Sequence, residues 1–271
     1  MQLIQLNLKK GKIMGSQKKF LIVSNARSGS TWLETLLGSL SDVQVDYEFK
    51  WRPTYEAHEL HMVIPDKNFN CSDALSKISN KGIVGSKLVF DPRSHSDNEL
   101  NELLQTIPSN IHVIHLVRSY AEVINSIIKG RPINILSENA KVEGDSVLLK
   151  TLKHNSQLDF EPEVSNEPKT INMGHCQRLL RNLFKNDLCA YKLKQTRDNY
   201  TIIKYDEIES ELESLVSFIG SNASKEEIAD SLSNPITKKL PKKSFHEVIQ
   251  NYDDISETIG LCEELKQFLL V

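Results

Sequence analysis

The segment from Phe20 to Leu37 constrains this chain most. Phe20-Leu21-Ile22-Val23 is a continuous apolar run of the kind that forms a strand buried on both faces of a parallel sheet. Ser24 to Ser30 is a polar turn. Thr31-Trp32-Leu33-Glu34-Thr35-Leu36-Leu37 then reads as a helix ended by Gly38. Strand, tight loop and helix make an anion site, because the first helical turn carries unpaired N–H groups and the positive end of the dipole. Ser28, Ser30 and Thr31 add hydroxyl donors around Gly29, and Arg27 adds a permanent charge.

The rest of the chain repeats the alternation. Strands are expected at Val43 to Glu48, Gly82 to Phe90, Ile111 to Val117 and Tyr200 to Lys204. Helices are expected at Asp97 to Thr106, Ser119 to Lys129, His175 to Tyr191 and Asp206 to Ile219, with further helical segments to Val271. This predicts an α/β fold: a P-loop-like parallel sheet flanked by helices on both faces, in a single domain over residues 20–271. The periodicity weakens between Gly130 and Met173. Residues 133–168 hold seven acids against three lysines, which reads as an insertion of about 130–172, helical or loop-like, forming a substrate lid.

Composition sets bounds on partners. With 271 residues, 39% of them hydrophobic, one sizeable core is within reach. A formal net charge of −3 argues against wholesale nucleic-acid binding, so any anion site is local. Cys71, Cys176, Cys189 and Cys262 fit no zinc spacing and read as reduced thiols of a cytoplasmic protein. No run reaches the ~18 apolar residues of a membrane span. Met1 to Lys19 has its charges after rather than before its few aliphatics, so it reads as a flexible basic tail and not a secretory signal.

The loop is not a nucleoside-triphosphate loop. The G-x-x-x-x-G-K-[ST] pattern needs Gly where Ser24 stands and Lys where Ser30 stands. A magnesium-holding Asp is also expected at a strand end, and the strand Ile111 to Val117 runs into Arg118 instead. A phosphate site without a metal is the reading that remains.

Arg27-Ser28-Gly29-Ser30-Thr31-Trp32-Leu33 resembles the 5′-phosphosulfate loop of the sulfotransferases that use 3′-phosphoadenosine 5′-phosphosulfate (PAPS), written [KR]-x-G-[ST]-[ST]-W-L. Arg118 at a strand end and Ser126 eight residues later resemble that family's second motif. Tyr200 to Gly220 resembles its closing strand and helix. The resemblance covers roughly residues 20–130 and 198–260. It implies that PAPS is the co-substrate, that adenosine 3′,5′-bisphosphate is the product, and that no metal is needed.

Site residues follow from it one by one. Arg27 would stabilise charge on the departing phosphate, and Ser28, Gly29, Ser30 and Thr31 would bind the 5′-phosphate. Ser30 and Thr31 equally suit plain helix caps. Trp32 matches the tryptophan that stacks on adenine, with a core tryptophan as the alternative. Arg118 and Ser126 would bind the 3′-phosphate. Lys87 would contact the oxygens of the transferring group or form a strand-end ion pair. Val89 stands where the steroid and phenol branch has its histidine base, so that base is excluded. Glu48, placed after the second strand, matches the glutamate base of the bacterial trehalose- and nodulation-factor-type and heparan-type branches; an ordinary exposed Glu is the alternative. His112 and His115 read as structural, on opposite faces of their strand. His58, His61 and His175 stand as undistinguished candidates for the acceptor site. Lys238, Lys239, Lys242 and Lys243 either close over the nucleotide or form a solvated face.

The implied acceptor is a small molecule with a hydroxyl or amine, and the acidic insertion suggests a polar or cationic one, as in secondary metabolism. No nucleic acid and no membrane span is expected, and a homodimer is left open. Two other classes remain: a nucleotide kinase or NTPase, and a non-catalytic nucleotide-binding protein with the same fold.

Overall fold

Among the described residues, six parallel strands form one sheet in the order β3-β2-β4-β1-β5-β6. They are β1 (Lys18–Asn25), β2 (Val43–Trp51), β3 (Met62–Val63), β4 (Ile83–Phe90), β5 (Ile111–Val117) and β6 (Tyr200–Lys204). The structure is a computed structural model that describes residues 17–51, 62–63, 70–76, 81–90, 97–128, 167–237 and 244–270. The expected insertion falls largely outside these residues, as do His58, His61 and the four lysines at 238, 239, 242 and 243.

Parallel strands need crossovers, and helices supply them. Among the described residues α1 (Ser30–Gly38), α2 (Cys71–Ser76), α3 (Asp97–Gln105), α4 (Tyr120–Ile128) and α5 (Met173–Lys192) lie between strands, and α6 (Ile208–Phe218), α7 (Lys225–Ser233) and α8 (Tyr252–Leu270) follow β6. Alternation along β1 feeds two cores. Phe20 and Ile22 pack under Leu33, Leu36 and Leu37 of α1 and Leu212 and Leu215 of α6. Leu21 and Val23 face Leu75 of α2, Leu103 of α3 and Ala190 of α5 on the other side. A third cluster joins α4, α5 and α8 through Ile124, Leu180, Leu183, Ile255 and Ile259. Helices therefore cover both faces, as the alternation of apolar runs predicts.

Differences from the sequence reading have local causes. β1 begins at Lys18 rather than Phe20, because both terminal lysines find fixed acceptors. Lys18 Nζ donates to Gly220 O at 2.8 Å, and Lys19 Nζ donates to the Ser72 and Ser76 hydroxyls at 2.8 and 2.7 Å. The expected basic tail thus ends before these two residues. Gly38 closes α1, but its role is spacing: a Cβ there would lie 2.3 Å from Val45 Cγ2, so glycine lets α1 sit directly on β2. The two-residue β3 and helices α2 and α7 have too short or too polar a pattern to stand out in the sequence.

The chain leaves β1 toward β2 on one side and leaves β5 toward β6 on the other. Ligands of open α/β sheets bind in the crevice that such a reversal opens at the carboxyl ends of the strands. Here that crevice lies between β1 and β5, whose carboxyl ends run into the loop at Arg27 and into Arg118.

Candidate active site

β1 ends in a turn in which Ser28 N–H donates to Asn25 O at 3.3 Å. Arg27 follows with φ 71° and Gly29 with φ 90°, both left-handed. A non-glycine residue in that region is uncommon, and such successive turns of main chain point N–H groups into a concavity that suits an anion. Gly29 is also the N-cap of α1 and so offers no capping side chain to the first turn. Ser30 and Thr31 are the first two residues of the helix rather than caps. A Cβ on Gly29 would lie 2.3 Å from Tyr205 Cε2, so glycine is required by space as well as by φ.

The two distant motifs meet at this loop. Arg27 Nε donates to Ser126 Oγ at 3.1 Å, and Arg118 Nη1 donates to Arg27 O at 3.1 Å. Arg118 Nε also pairs with Glu122 Oε2 at 2.9 Å, and its guanidinium lies 4.2 Å above the Tyr205 ring. Guanidinium has five N–H donors, so the bonds to Arg27 and Glu122 leave donors for a ligand. Ser24 Oγ, at the foot of the loop, is buried without a hydrogen-bond partner among the described residues.

Lys87 comes from the neighbouring strand β4 and is only 1% exposed. Its Nζ lies 3.0 Å from Glu34 Oε2, on the fully buried side of α1, and donates to Thr31 Oγ1 at 2.6 Å. Trp32 is 8% exposed and belongs to the core beneath the loop, edge-on to Tyr205 with ring centroids 5.8 Å apart. Glu48 lies inside β2 and not after it. Its Cα pairs with those of Lys87 and Met62 beside an irregularity in register between Val45 and Glu48. Its side chain is outside the described residues. The loop, Lys87, Arg118 and Ser126 are therefore brought together.

The sequence reading missed what supports the loop. Asp187, on α5 and 2% exposed, accepts from Asn25 Nδ2 at 2.7 Å and from Tyr120 Oη at 2.9 Å, and its Oδ1 lies 3.3 Å from His115 Nε2. Tyr200 Oη continues the network to His115 Nδ1 at 2.7 Å. Burial first, and the Asp187 charge second, push the Tyr120 phenol pKa far upward. His115 is thus structural, and His112 on the opposite face packs edge-on against Phe218. His175 lies on α5, exposed, with Arg178 Nη2 3.2 Å from its Nδ1. From α8, Glu263 accepts from Tyr120 N–H, and Lys266 Nζ donates to Arg118 O at 2.8 Å. Tyr205 was also missed, although it opens the turn directly after β6, in the stretch that resembles the family's closing strand and helix.

The fold and site define an α/β protein in which a left-handed turn after β1 is joined to Arg118 and Ser126 at the carboxyl ends of the strands. The sequence matches the family model described as sulfotransferase domain over residues 17–260, and the chain belongs to that family. It is accordingly a transferase of the sulfotransferase class. No curated protein matches the chain. Similar solved structures include a sulfotransferase from Alicyclobacillus acidocaldarius, at 10% identity over 94% of this chain and 96% of that one, with a TM-score of 0.44. Mouse sulfotransferase SULT7A1 complexed with PAP is 14% identical over 83% and 68%, with a TM-score of 0.43. Sulfotransferase STF1 from Mycobacterium tuberculosis H37Rv is 11% identical over 92% and 76%, with a TM-score of 0.43. Among the described residues no helix is long and apolar enough to cross a membrane.

Proposed function

We propose that the protein transfers the sulfuryl group of PAPS to a hydroxyl or amine of a small polar or cationic acceptor, releasing adenosine 3′,5′-bisphosphate. The observation that supports this reading is the junction of Arg27, Ser126 and Arg118, where the two stretches that would each hold a phosphate are hydrogen-bonded to one another. A donor with a 5′-phosphosulfate and a separate 3′-phosphate needs two such sites. The chain's features fit it: a left-handed turn lined by N–H groups, a glycine whose Cβ position is filled by Tyr205, and guanidinium donors left over.

PAPS supplies an activated sulfur whose bond to the phosphate oxygen breaks as the acceptor atom bonds on the opposite side, the electron pair leaving with the phosphate. The chain's residues serve that displacement. Main-chain N–H groups of Gly29 to Thr31 and the Arg27 guanidinium face the oxygen on which charge develops, where fixed donors lower a barrier most. Arg118 and Ser126 hold the 3′-phosphate. Tyr205, packed against Gly29 and beneath the Arg118 guanidinium, walls the loop, with Trp32 in the core behind it. Glu48 takes the proton that the acceptor loses, as a positioned carboxylate can. On this reading the acidic stretch at about 130–172 selects the acceptor. The protein works in the cytoplasm on this reading, and no step requires a metal.

The test is calorimetry with adenosine 3′,5′-bisphosphate, together with radiolabelled sulfur transfer from PAPS to a panel of cationic and neutral acceptors. Binding plus transfer is expected in the presence of a chelator. Absence of bisphosphate binding overturns the donor assignment, and preference for neutral lipids overturns the acceptor class.

A further inference from the structure

We propose that Glu34 is a positioning residue for the transfer: acting through Lys87, it fixes the Thr31 hydroxyl as a donor toward the anion on the α1 N-terminus. This rests on the donor reading above.

Thr31 and Glu34 are three residues apart on α1, so they share a face. Lys87 reaches both from β4, at 2.6 Å to Thr31 Oγ1 and 3.0 Å to Glu34 Oε2. An ammonium has three N–H groups and no lone pair. Thr31 Oγ1 must therefore accept from Lys87, and its own O–H must point to a different acceptor. Thr31 stands in the first turn of α1, where the acceptor that arrives is the anion.

The arrangement depends on Lys87 keeping its proton at a position that is 1% exposed. Burial favours the neutral amine, and an opposite charge at close range reverses that. Glu34, fully buried one turn into the helix, supplies the charge. A neutral amine at Lys87 has a lone pair, and the Thr31 O–H would then turn inward to donate to it. The helix would keep its amides but lose a hydroxyl donor to the ligand.

The test is a double-mutant cycle in kcat/KM for PAPS, using Glu34→Gln, Thr31→Ala and both together. Hydrogen bonds to charged groups imply a loss of about 10- to 100-fold for each single variant. If Glu34 acts through Thr31, the double variant is no worse than the weaker single one. Glu34→Asp, which keeps the charge, recovers part of the loss. Multiplying effects in the cycle, or full kcat/KM in Glu34→Gln, overturns the proposal. Removing one member of a buried ion pair can prevent folding. Glu34→Gln with Lys87→Met removes both charges of the pair together; it is expected to fold and remain impaired, and wild-type kcat/KM in that variant also overturns the role. Bisphosphate binding to the unaltered protein separates the two levels. If it binds and the cycle multiplies, only the Glu34 role fails; if it does not bind, the donor reading fails.

Discussion

The Nε–H of Arg27 donates to Ser126 Oγ across 99 residues of sequence, and the Nη1–H of Arg118 closes the same corner on the Arg27 carbonyl. Each motif therefore holds the other in place before any ligand arrives. Arg118 is the member with donors to spare. Replacing it with alanine is expected to weaken adenosine 3′,5′-bisphosphate binding by about 10- to 100-fold, as loss of charge-assisted hydrogen bonds does. Arg118→Lys should recover little, since a point charge cannot serve Glu122, Arg27 and a phosphate together. Calorimetry on both variants measures this; wild-type affinity in Arg118→Ala would remove the residue from the phosphate site.

Glu48 gives a different signature. Glu48→Gln should lower kcat by roughly 10²- to 10⁴-fold, the usual range for a lost general base. Bisphosphate affinity should hold if Glu48 acts on the acceptor, as proposed, and not on the nucleotide. Single-turnover kinetics with a transferred radiolabel, beside calorimetry, check both halves. An unchanged rate would remove Glu48 from the mechanism.

Gly29→Ala tests the close approach of Tyr205. The new Cβ meets the ring at 2.3 Å in a backbone at φ 90°. Strain plus overpacking is expected to cost about 1–3 kcal/mol, read as a lower thermal midpoint. Adding Tyr205→Ala should restore the part due to collision and not the part due to φ. A single variant as stable as the parent would show that the ring yields freely.

Alkaline stability follows from buried acids. Burial pushes the Cys71 thiol up to about 12 and the Cys176 thiol up to about 11, from an ordinary 9.0. The Tyr120 and Tyr200 phenols also shift upward, again mainly through burial. In each case the folded state holds its proton more tightly than the unfolded chain. The contribution is therefore complete below pH 9 and is lost as pH rises toward 11–12. The thermal midpoint should fall across that window, and Cys71→Ala should flatten part of the fall. A midpoint level through the window would contradict the assignment.

Much of the fold was legible because its signals are local. Ile111 to Val117 and Tyr200 to Lys204 are apolar or β-branched runs whose ends coincide with the observed strands. The strand, turn and helix around Gly29 were legible because the apolar run, the glycine and the hydroxyl residues are adjacent. The supports were not. Asp187 and Asn25 are 162 residues apart, and no local pattern marks an aspartate on an amphipathic helix as the acceptor for a loop elsewhere. Glu34 reads as an ordinary helical glutamate until Lys87 is placed beside it. Gly38 was read as a terminator because the sequence does not show that Val45 lies against it.

The order of strands has a consequence for how the site comes into being. β1 appears first in the chain yet lies between β4 and β5, so its second edge is not covered until residue 117 is available. During synthesis it must wait as an apolar strand with open edges, the kind of template that invites pairing with other chains. Contacts this distant in sequence also form slowly. Arg27 gains Arg118 and Ser126 only after that wait, and Asp187 and Tyr205 arrive later still. An amino-terminal fragment that keeps the whole loop after β1 would consequently lack the side chains that hold the loop in place, and it would be prone to aggregate.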